Sequence, residues 1–566
     1  MKHITLLVLS LLIALGCQAQ ESFNTLSAMT DHILAYQADN GALSRKYTIR
    51  ESDEYYSRFS KLHSDWLNKL KSIQFESLNQ TGKIDYILLK NLIEREEYAL
   101  QQNKREFEQI QSSIRFGDKI LPLVILRRKG AVLDGEKTAA AFNELKKDVQ
   151  LKQQEIEKLP KYNERLANRA SNAAQGYKAA LRDLFRFYND YDPQFTWWTK
   201  APYAELDTTL AQYVRFLKNW KTIDVSKDDG SGIFGNPIGR EEIIKSLEFE
   251  MIPYTPEDLV EIANKEFAWC EKEMLKASAE MGFGDKWKDA LEKVKNDHVA
   301  EGRQPEYLEF LATEAIDYVE KNNLVTVPTL AKEVWRMTMM SPEQQKFSPF
   351  FLGGEVLQIA FPTSTMPQED KMMSLRGNNK HFARATVHHE LIPGHHLQLF
   401  MNSRYHPERR NFSTPFSVEG WAVYWEMILW DKGFQKSPEN RVGMLFWRMH
   451  RCARIIFSLN YHMNKWTPQT CIDFLVDKVG HERANATAEV RRSFTGGYPP
   501  LYQLAYMIGA KQYYALRTEL VNTGKIKEKD YHDAILQNGS IPVEMMRALL
   551  TNDRLSRDFK TSWKFK

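Results

Sequence analysis

The chain has 566 residues, 43% of them hydrophobic and 27% charged, and a net charge of +4. It is therefore globular and can bury a large core, and its length leaves room for several domains. So small a positive balance, with no basic block or basic–aromatic pattern, gives no reason to expect nucleic acid or a membrane surface as a partner.

Residues 1–19 read as a signal peptide. Met1-Lys2-His3 supplies positive charge, and Ile4 to Leu15 is an apolar run. That run is too short to span a bilayer, which takes about 20 residues. Cleavage after Ala19 would leave Gln20 first. Alternatively, Ala14-Leu15-Gly16-Cys17 resembles a bacterial lipobox, and Cys17 would carry a lipid anchor. Either reading implies export, to the periplasm or as an outer-membrane lipoprotein. No later segment is apolar enough to span a membrane. Of the four cysteines, Cys270, Cys452 and Cys471 are far apart and without CxxC pairing. They fit buried free thiols or at most one bridge, and are unpromising metal ligands.

Residues 21–248 form an expected N-terminal helical lobe, highly charged throughout. Ala139 to Leu159 carries Phe142, Leu145, Val149 and Ile156 as a spaced apolar stripe, and Pro160 stops it. A second long helix is expected near Asn163 to Tyr188, before Asp192-Pro193. Phe195-Thr196-Trp197-Trp198 follows as an aromatic cluster in an expected loop, of the kind that usually enters a core. Asp228-Asp229-Gly230-Ser231-Gly232 is the strongest turn cluster and marks a lobe boundary.

Residues 249–566 form the expected catalytic lobe. Thr255-Pro256-Glu257-Asp258 puts Thr at the N-cap, Pro at the first helical position and acids in the first turn. Ser437-Pro438 and Thr467-Pro468 repeat the signal. Met337 to Met340 and Cys452 read as packing. Gly354 to Pro362 reads as a short strand, either pairing with extended substrate or serving as a buried structural strand.

The sixteen residues from His381 to His396 hold five histidines: His381, His388, His389, His395 and His396. Imidazole is the commonest zinc ligand, and Glu390 beside His389 can act as base toward a metal-bound water. The spacing departs from HExxH, because the fourth position after His389 is Pro393. On a straight helix His395 would lie about 240° round from His389. His396 returns to the same face, but about 10 Å further along. A helix broken at Pro393-Gly394 would swing a histidine back. The third ligand should come from elsewhere. Glu419, with Glu426 in reserve, is an acid in the otherwise apolar helix expected from Phe416 through Leu429. Glu426 could instead orient an imidazole.

HHELIPGHHLQ, SVEGWAVYWE and PPLYQLAYMIGAKQYYALR resemble the bacterial domain-of-unknown-function family numbered 885. That family is regarded as related to gluzincin zinc metallopeptidases, distantly including angiotensin-converting enzyme and carboxypeptidase Taq. The resemblance covers most of the mature chain, most clearly Tyr254 to Arg517. It implies a mainly α, two-lobed helical metallopeptidase with a central cleft and a small β element near the metal. It also implies His389 and His395 as ligands, with His396 in reserve, Glu419 as the third ligand and Glu390 as the base. Members often show Asp-Thr-Gly-x-His where this chain has Ser458-Leu459-Asn460-Tyr461-His462, so a role for that Asp is absent here. His462 could still hydrogen-bond a tetrahedral intermediate. Among Tyr498, Tyr502 and Tyr506, the family's helix start points to Tyr506 as the oxyanion donor. Arg492 and Lys511 could hold a substrate carboxylate. The expectation is zinc-dependent hydrolysis of short peptides, carboxypeptidase- or dipeptidase-like, with another divalent transition metal as an option. Alternatives are a metal-dependent hydrolase of another amide or ester, and a non-catalytic metal-binding envelope lipoprotein.

Overall fold

The structure, a computed structural model, describes residues 27–222, 228–345, 350, 353–495 and 498–565. The expected signal peptide and Cys17 lie outside them. The described chain is mainly helical, with two short strands. Among the described residues no helix is long and apolar enough to cross a membrane. Two compact units are formed, one from residues 34–73 with 90–222, the other from 27–33, 74–89 and 228–565. The change of unit falls at Asp228, the first residue of the turn cluster. Residues 228–248, expected in the N-terminal lobe, thus belong with the larger unit. There the Gly239 amide donates to the His462 carbonyl at 3.0 Å. Gly235 lies so close to Tyr461 and Phe494 that a Cβ would have no space.

The smaller unit includes helices α1 (Ile120–Arg128), α2 (Gly135–Ile156), α3 (Glu164–Tyr188) and α4 (Pro193–Asn219). Asp134, Asn163 and Asp192 cap the last three, each side chain accepting from an amide three residues on. The predicted stripe of Phe142, Leu145, Val149 and Ile156 is buried. Phe195–Trp198 departs from the expectation. With Asp192 as cap and Pro193 at the first helical position, these residues form the opening turn of α4 rather than a loop. Phe195 alone of the three aromatics is buried, whereas Trp197 is 82% and Trp198 42% exposed.

The larger unit contains α5 (Pro256–Glu280), α6 (Gln304–Lys321), β1 (Arg336–Met339), β2 (Val356–Ile359), α7 (Lys380–Glu390), α8 (His395–Asn402), α9 (Pro415–Asp431), α10 (Pro438–His462), α11 (Arg483–Phe494), α12 (Tyr502–Leu520) and α13 (Glu528–Gln537). The Thr255–Asp258 capping box forms as predicted, and Ser437 and Thr467 cap the helices that follow them. Strand β2 lies inside the predicted segment. Its partner is unexpected: Met337–Met340, read as packing, supplies most of β1, which pairs in parallel from Arg336↔Val356 to Met339↔Ile359. Met339 is exposed, so this stretch is only partly core. Leu357 and Ile359 of β2 pack with Leu308, Leu311 and Ala312 of α6 and with Ala383, Val387 and Leu391. This cluster pins the strand to the end of α7. Cys270, Cys452 and Cys471 are buried free thiols.

Helices α9 and α12 cross through glycine. A Cβ at Gly420 would sit 2.5 Å from the Gly509 Cα, and one at Gly509 only 1.9 Å from the Phe416 carbonyl oxygen. Large side chains elsewhere on α9, including Trp421 and Trp425, fill the surrounding core. The glycines therefore set how near Glu419 comes to the tyrosines of α12.

His532 of α13 is fully buried, its Nδ1 2.7 Å from the Leu324 carbonyl and its Nε2 2.7 Å from the Tyr424 hydroxyl. A carbonyl only accepts, so Nδ1–H donates to it and Nε2 accepts from the tyrosine: the ring is neutral. Burial lowers its pKa from 6.5 to about 4. Its contribution is complete above the unfolded value and is lost as pH falls toward the folded one. Stability is therefore expected to decline between about pH 6.5 and 4 by a His532-dependent amount on the order of 3 kcal/mol. Denaturant melts of the protein and its His532→Gln variant across this range check it; curves of equal slope would refute it.

Candidate metal centre

Helix α7 begins where the Asn379 side chain accepts from the amides of His381 and Phe382, and ends at Glu390. Leu391–Gly394 breaks the path before α8 starts at His395. The Gly394 amide donates to the His388 carbonyl at 2.9 Å. A Cβ on Gly394 would meet the His389 carbonyl at 1.9 Å, so no other residue fits without rearrangement. The Trp421 indole donates to the Pro393 carbonyl at 2.9 Å, tying the break to α9. The result is the predicted return: the rings of His389 and His395 lie perpendicular, 4.7 Å apart.

Glu419, in the first turns of α9, completes the set. Its Oε2 lies 3.2 Å from His395 Nε2 and 3.7 Å from His389 Nε2. Oε2 is buried and has no hydrogen-bond donor among the described residues. Ligand bonds of about 2.1 Å at tetrahedral angles put donor atoms about 3.4 Å apart. The two distances from Oε2 lie close to that spacing, so the residues fit a small divalent ion. Glu390 also belongs to the group, with ligand atoms of His389, Glu390 and His395 all within 4.8 Å of one another. A Cβ at Gly353 would collide with its Cβ and Oε2, and the Gly354 amide donates to its carbonyl at 3.1 Å. The base of the sequence motif thus lies directly against the approach to β2.

A second layer holds the candidate ligands. His389 Nδ1 bonds Glu426 Oε1 at 2.7 Å, leaving Nε2 toward Glu419, and Arg451 donates to the same Glu426 oxygen at 3.2 Å. Tyr502 donates its hydroxyl to Glu419 Oε1, leaving Oε2 toward the histidines. Burial alone would push His389 down, but the neighbouring Glu419 and Glu426 carboxylates hold it up at about 9. Burial raises Glu426 too, yet Arg451 and His389 outweigh it and hold the carboxyl down at about 2. In Glu419 the two imidazoles overcome burial and keep the carboxyl well below its ordinary range. Glu390 goes the other way: burial pushes its carboxyl up against the pull of His389 and His395. The environment therefore separates two carboxyls, one held down and ionised and one pushed up by burial.

A family model described as "Bacterial protein of unknown function (DUF885)" matches residues 40–550. The chain belongs to the DUF885 family. A solved structure described as "a putative lipoprotein of unknown function from Shewanella oneidensis" is similar to it, with a TM-score of 0.67 at 18% identity, covering 92% of this chain and 98% of that one. A second, "the putative lipoprotein from Colwellia psychrerythraea", has a TM-score of 0.56 at 16% identity, covering 88% of this chain and 90% of that one. At these identities the likeness is one of fold. None of the curated proteins matches the chain.

In this DUF885 chain the remaining candidates fall into place unevenly. His396 points away, its Nε2 2.8 Å from the Ala331 carbonyl, so His395 is the histidine that meets Glu419. Glu426 lies behind His389, on the imidazole-orienting side of the two readings. His381 bonds Asn440 and Asp297, while His388 is buried against Phe434. Tyr506 stacks on His389 with ring centroids 6.4 Å apart, and the guanidiniums of Arg451 and Arg454 lie over its ring. His462 does not join them. It packs on Tyr461 and Phe494, eleven residues beyond Arg451 on α10 and hence roughly 16 Å along the helix. Arg492 is paired with Glu489 and lies over Tyr498, whose ring stacks on Tyr502. Lys511 is paired with Glu266, which also holds Arg448, away from the histidine pair. Tyr502, passed over for Tyr506, is the tyrosine that touches the candidate ligand Glu419. Its four-residue spacing from Tyr506 put the two on one face of α12. Arg451 carried no signal beyond its spacing from Arg448 and Arg454.

Proposed function

We propose that this chain is a metal-dependent peptidase acting on short peptides, with His389, His395 and Glu419 holding zinc or a similar divalent ion. The observation that carries the reading is the meeting of two Nε2 atoms and a donorless carboxylate oxygen at 3.2 and 3.7 Å, with Glu390 alongside. A bound ion would polarise the scissile carbonyl and make a water more acidic. Glu390 takes the proton from that water and hands it to the leaving amine. Glu426 and Tyr502 fix the orientation of His389 and Glu419. Tyr506, stacked on His389, is the phenol available to donate to the developing oxyanion.

Strand β2 supports a peptide substrate. Among the described residues it pairs with β1 alone, and its other edge is where we place an extended chain, beside Glu390. The apolar leader, and the printed descriptions of both similar structures as lipoproteins, support export, with Cys17 as the site of a lipid anchor. Carboxypeptidase or dipeptidase action is preferred within this reading.

The deciding experiment is a zinc titration of metal-free protein, followed by mass spectrometry of a peptide library and a panel of acyl esters. One ion per chain is expected, with affinity at least 100-fold lower in Glu419→Ala, and cleavage of peptides near an end that chelation abolishes. Absence of stoichiometric binding, or cleavage unaffected by chelation and by His389→Ala, would remove the proposal.

A further inference from the structure

The ends of four helices meet at one corner of the smaller unit. The Tyr188 hydroxyl at the end of α3 donates to the Ala131 carbonyl in the α1–α2 turn. The Arg127 guanidinium of α1 lies 5.3 Å from the Phe187 ring of α3. The Asp190 amide donates to Thr196 Oγ1 of α4 at 2.8 Å, and Gly135, opening α2, lies against Gln194 and Phe195. Apolar side chains project from these junctions into solvent. Val132 is 88% and Tyr191 84% exposed, and Leu126, Phe187, Trp197 and Trp198 are exposed beside them.

Cations surround this group. Arg127, Arg128, Lys129, Arg186 and Lys200 come from the same turns, and none forms an ion pair among the described residues. Arg128 bonds only the Lys46 carbonyl and the Thr48 hydroxyl, both neutral, so its charge is uncompensated. Most of the nearby acids are otherwise engaged. Asp134 and Asp192 cap α2 and α4, where the helix dipoles offset their charge. Asp183 pairs with Arg182. Asp190, which accepts only from the neutral Asn189 amide, and Glu136 keep their charge, and the five cations outnumber them. The small net charge of the whole chain averages this corner away.

We infer that this corner is an interfacial docking surface for a bilayer containing anionic lipid. Tryptophan and tyrosine combine an apolar ring with a polar group, the chemistry of the headgroup boundary. Lysine and arginine near that boundary are drawn toward an anionic leaflet. The apolar residues sit at turns and helix ends rather than along one helix face or strand. They offer no seam or edge for a partner chain, but a set of side chains that can dip together into a fluid phase. The inference is independent of the metal centre.

The test is co-sedimentation of the mature, unacylated protein with vesicles of phosphatidylethanolamine and phosphatidylglycerol, against neutral vesicles of phosphatidylethanolamine and phosphatidylcholine. Sedimentation with the anionic vesicles is expected, weakening as salt rises. The double variant Tyr191→Ser, Trp197→Ser should lower partitioning at least tenfold. Lys129→Glu with Arg186→Glu should abolish the anionic preference. Melting curves of both variants should match the parent, since the substituted side chains face solvent. Failure to sediment, or sedimentation that neither variant alters, overturns the inference. So does a concentration-dependent dimer in the ultracentrifuge that the aromatic variant loses, which would assign the corner to a second copy of the chain.

Discussion

Glu390→Gln should leave zinc bound at one ion per chain and lower kcat by roughly a thousandfold, equivalent to about 4 kcal/mol in the barrier. Glutamine keeps the volume that packs against Gly353 and loses only the ability to accept and return a proton. Burial pushes the Glu390 carboxyl up, which brings its proton affinity nearer to working pH. Because the base acts when ionised, turnover in the parent should fall as pH drops through that raised value, and residual turnover in the variant should lack this limb. Zinc titration, steady-state kinetics and a pH profile check the three parts. Undiminished turnover would remove Glu390 as the base. Loss of zinc along with activity would make it a fourth ligand.

Gly509→Ala is expected to damage stability and metal binding together. The new Cβ would sit 1.9 Å from the Phe416 carbonyl oxygen and 2.8 Å from the Gly420 Cα, both backbone atoms of α9. Backbone cannot rotate aside as a side chain can, so α9 and α12 must separate. Overpacking of this kind costs about 1–3 kcal/mol, and more where backbone is the obstacle. The separation moves Glu419 from Tyr502, so zinc affinity should drop by about tenfold or more, the usual scale for lost support of a ligand. Gly176→Ala serves as the control. Nothing lies within 4 Å of a Cβ there, and the position is inside helix α3. That substitution should leave stability equal or slightly higher. Denaturant melts and zinc titrations of both variants suffice. Equal behaviour of the two would refute the role given to the glycine crossing.

The crossing also explains the glycine of the EGWA motif. Read as sequence, Glu419-Gly420 is a candidate ligand beside a small residue. In the fold, Gly420 lets a second helix approach close enough for Tyr502 to reach that ligand. Which tyrosine arrives depends on where along α12 the contact falls, and periodicity on a single helix contains no such information. The sequence pointed to Tyr506 as the oxyanion donor, and Tyr506 faces His389; it gave no sign that Tyr502 would reach Glu419.

His462 shows the same limit from the other side. Its residue type and its place as the histidine of the region that aligns with the family motif made it plausible. The length of α10 carries it away, because a helix that touches Glu426 at Arg451 is three turns further on at His462. The stretch Phe195–Trp198 was misread as a loop, and only Phe195 of its three aromatics joins the core. Asp192-Pro193 was a legible start signal, but exposure depends on which face the rest of the unit covers.

Interactions spanning three or four residues were readable directly from the residues: the capped helix starts, the Pro-Gly break after His389 and the short strand. Each rests on a hydrogen bond or a backbone preference contained within a few positions. The choice of His395 over His396, the position of Glu426 behind His389, the tyrosine on Glu419, the parallel partner of β2 and the exposed corner of the smaller unit all needed the packed chain. They depend on distances between segments tens to hundreds of residues apart, and those distances are set by how closely helices can approach one another.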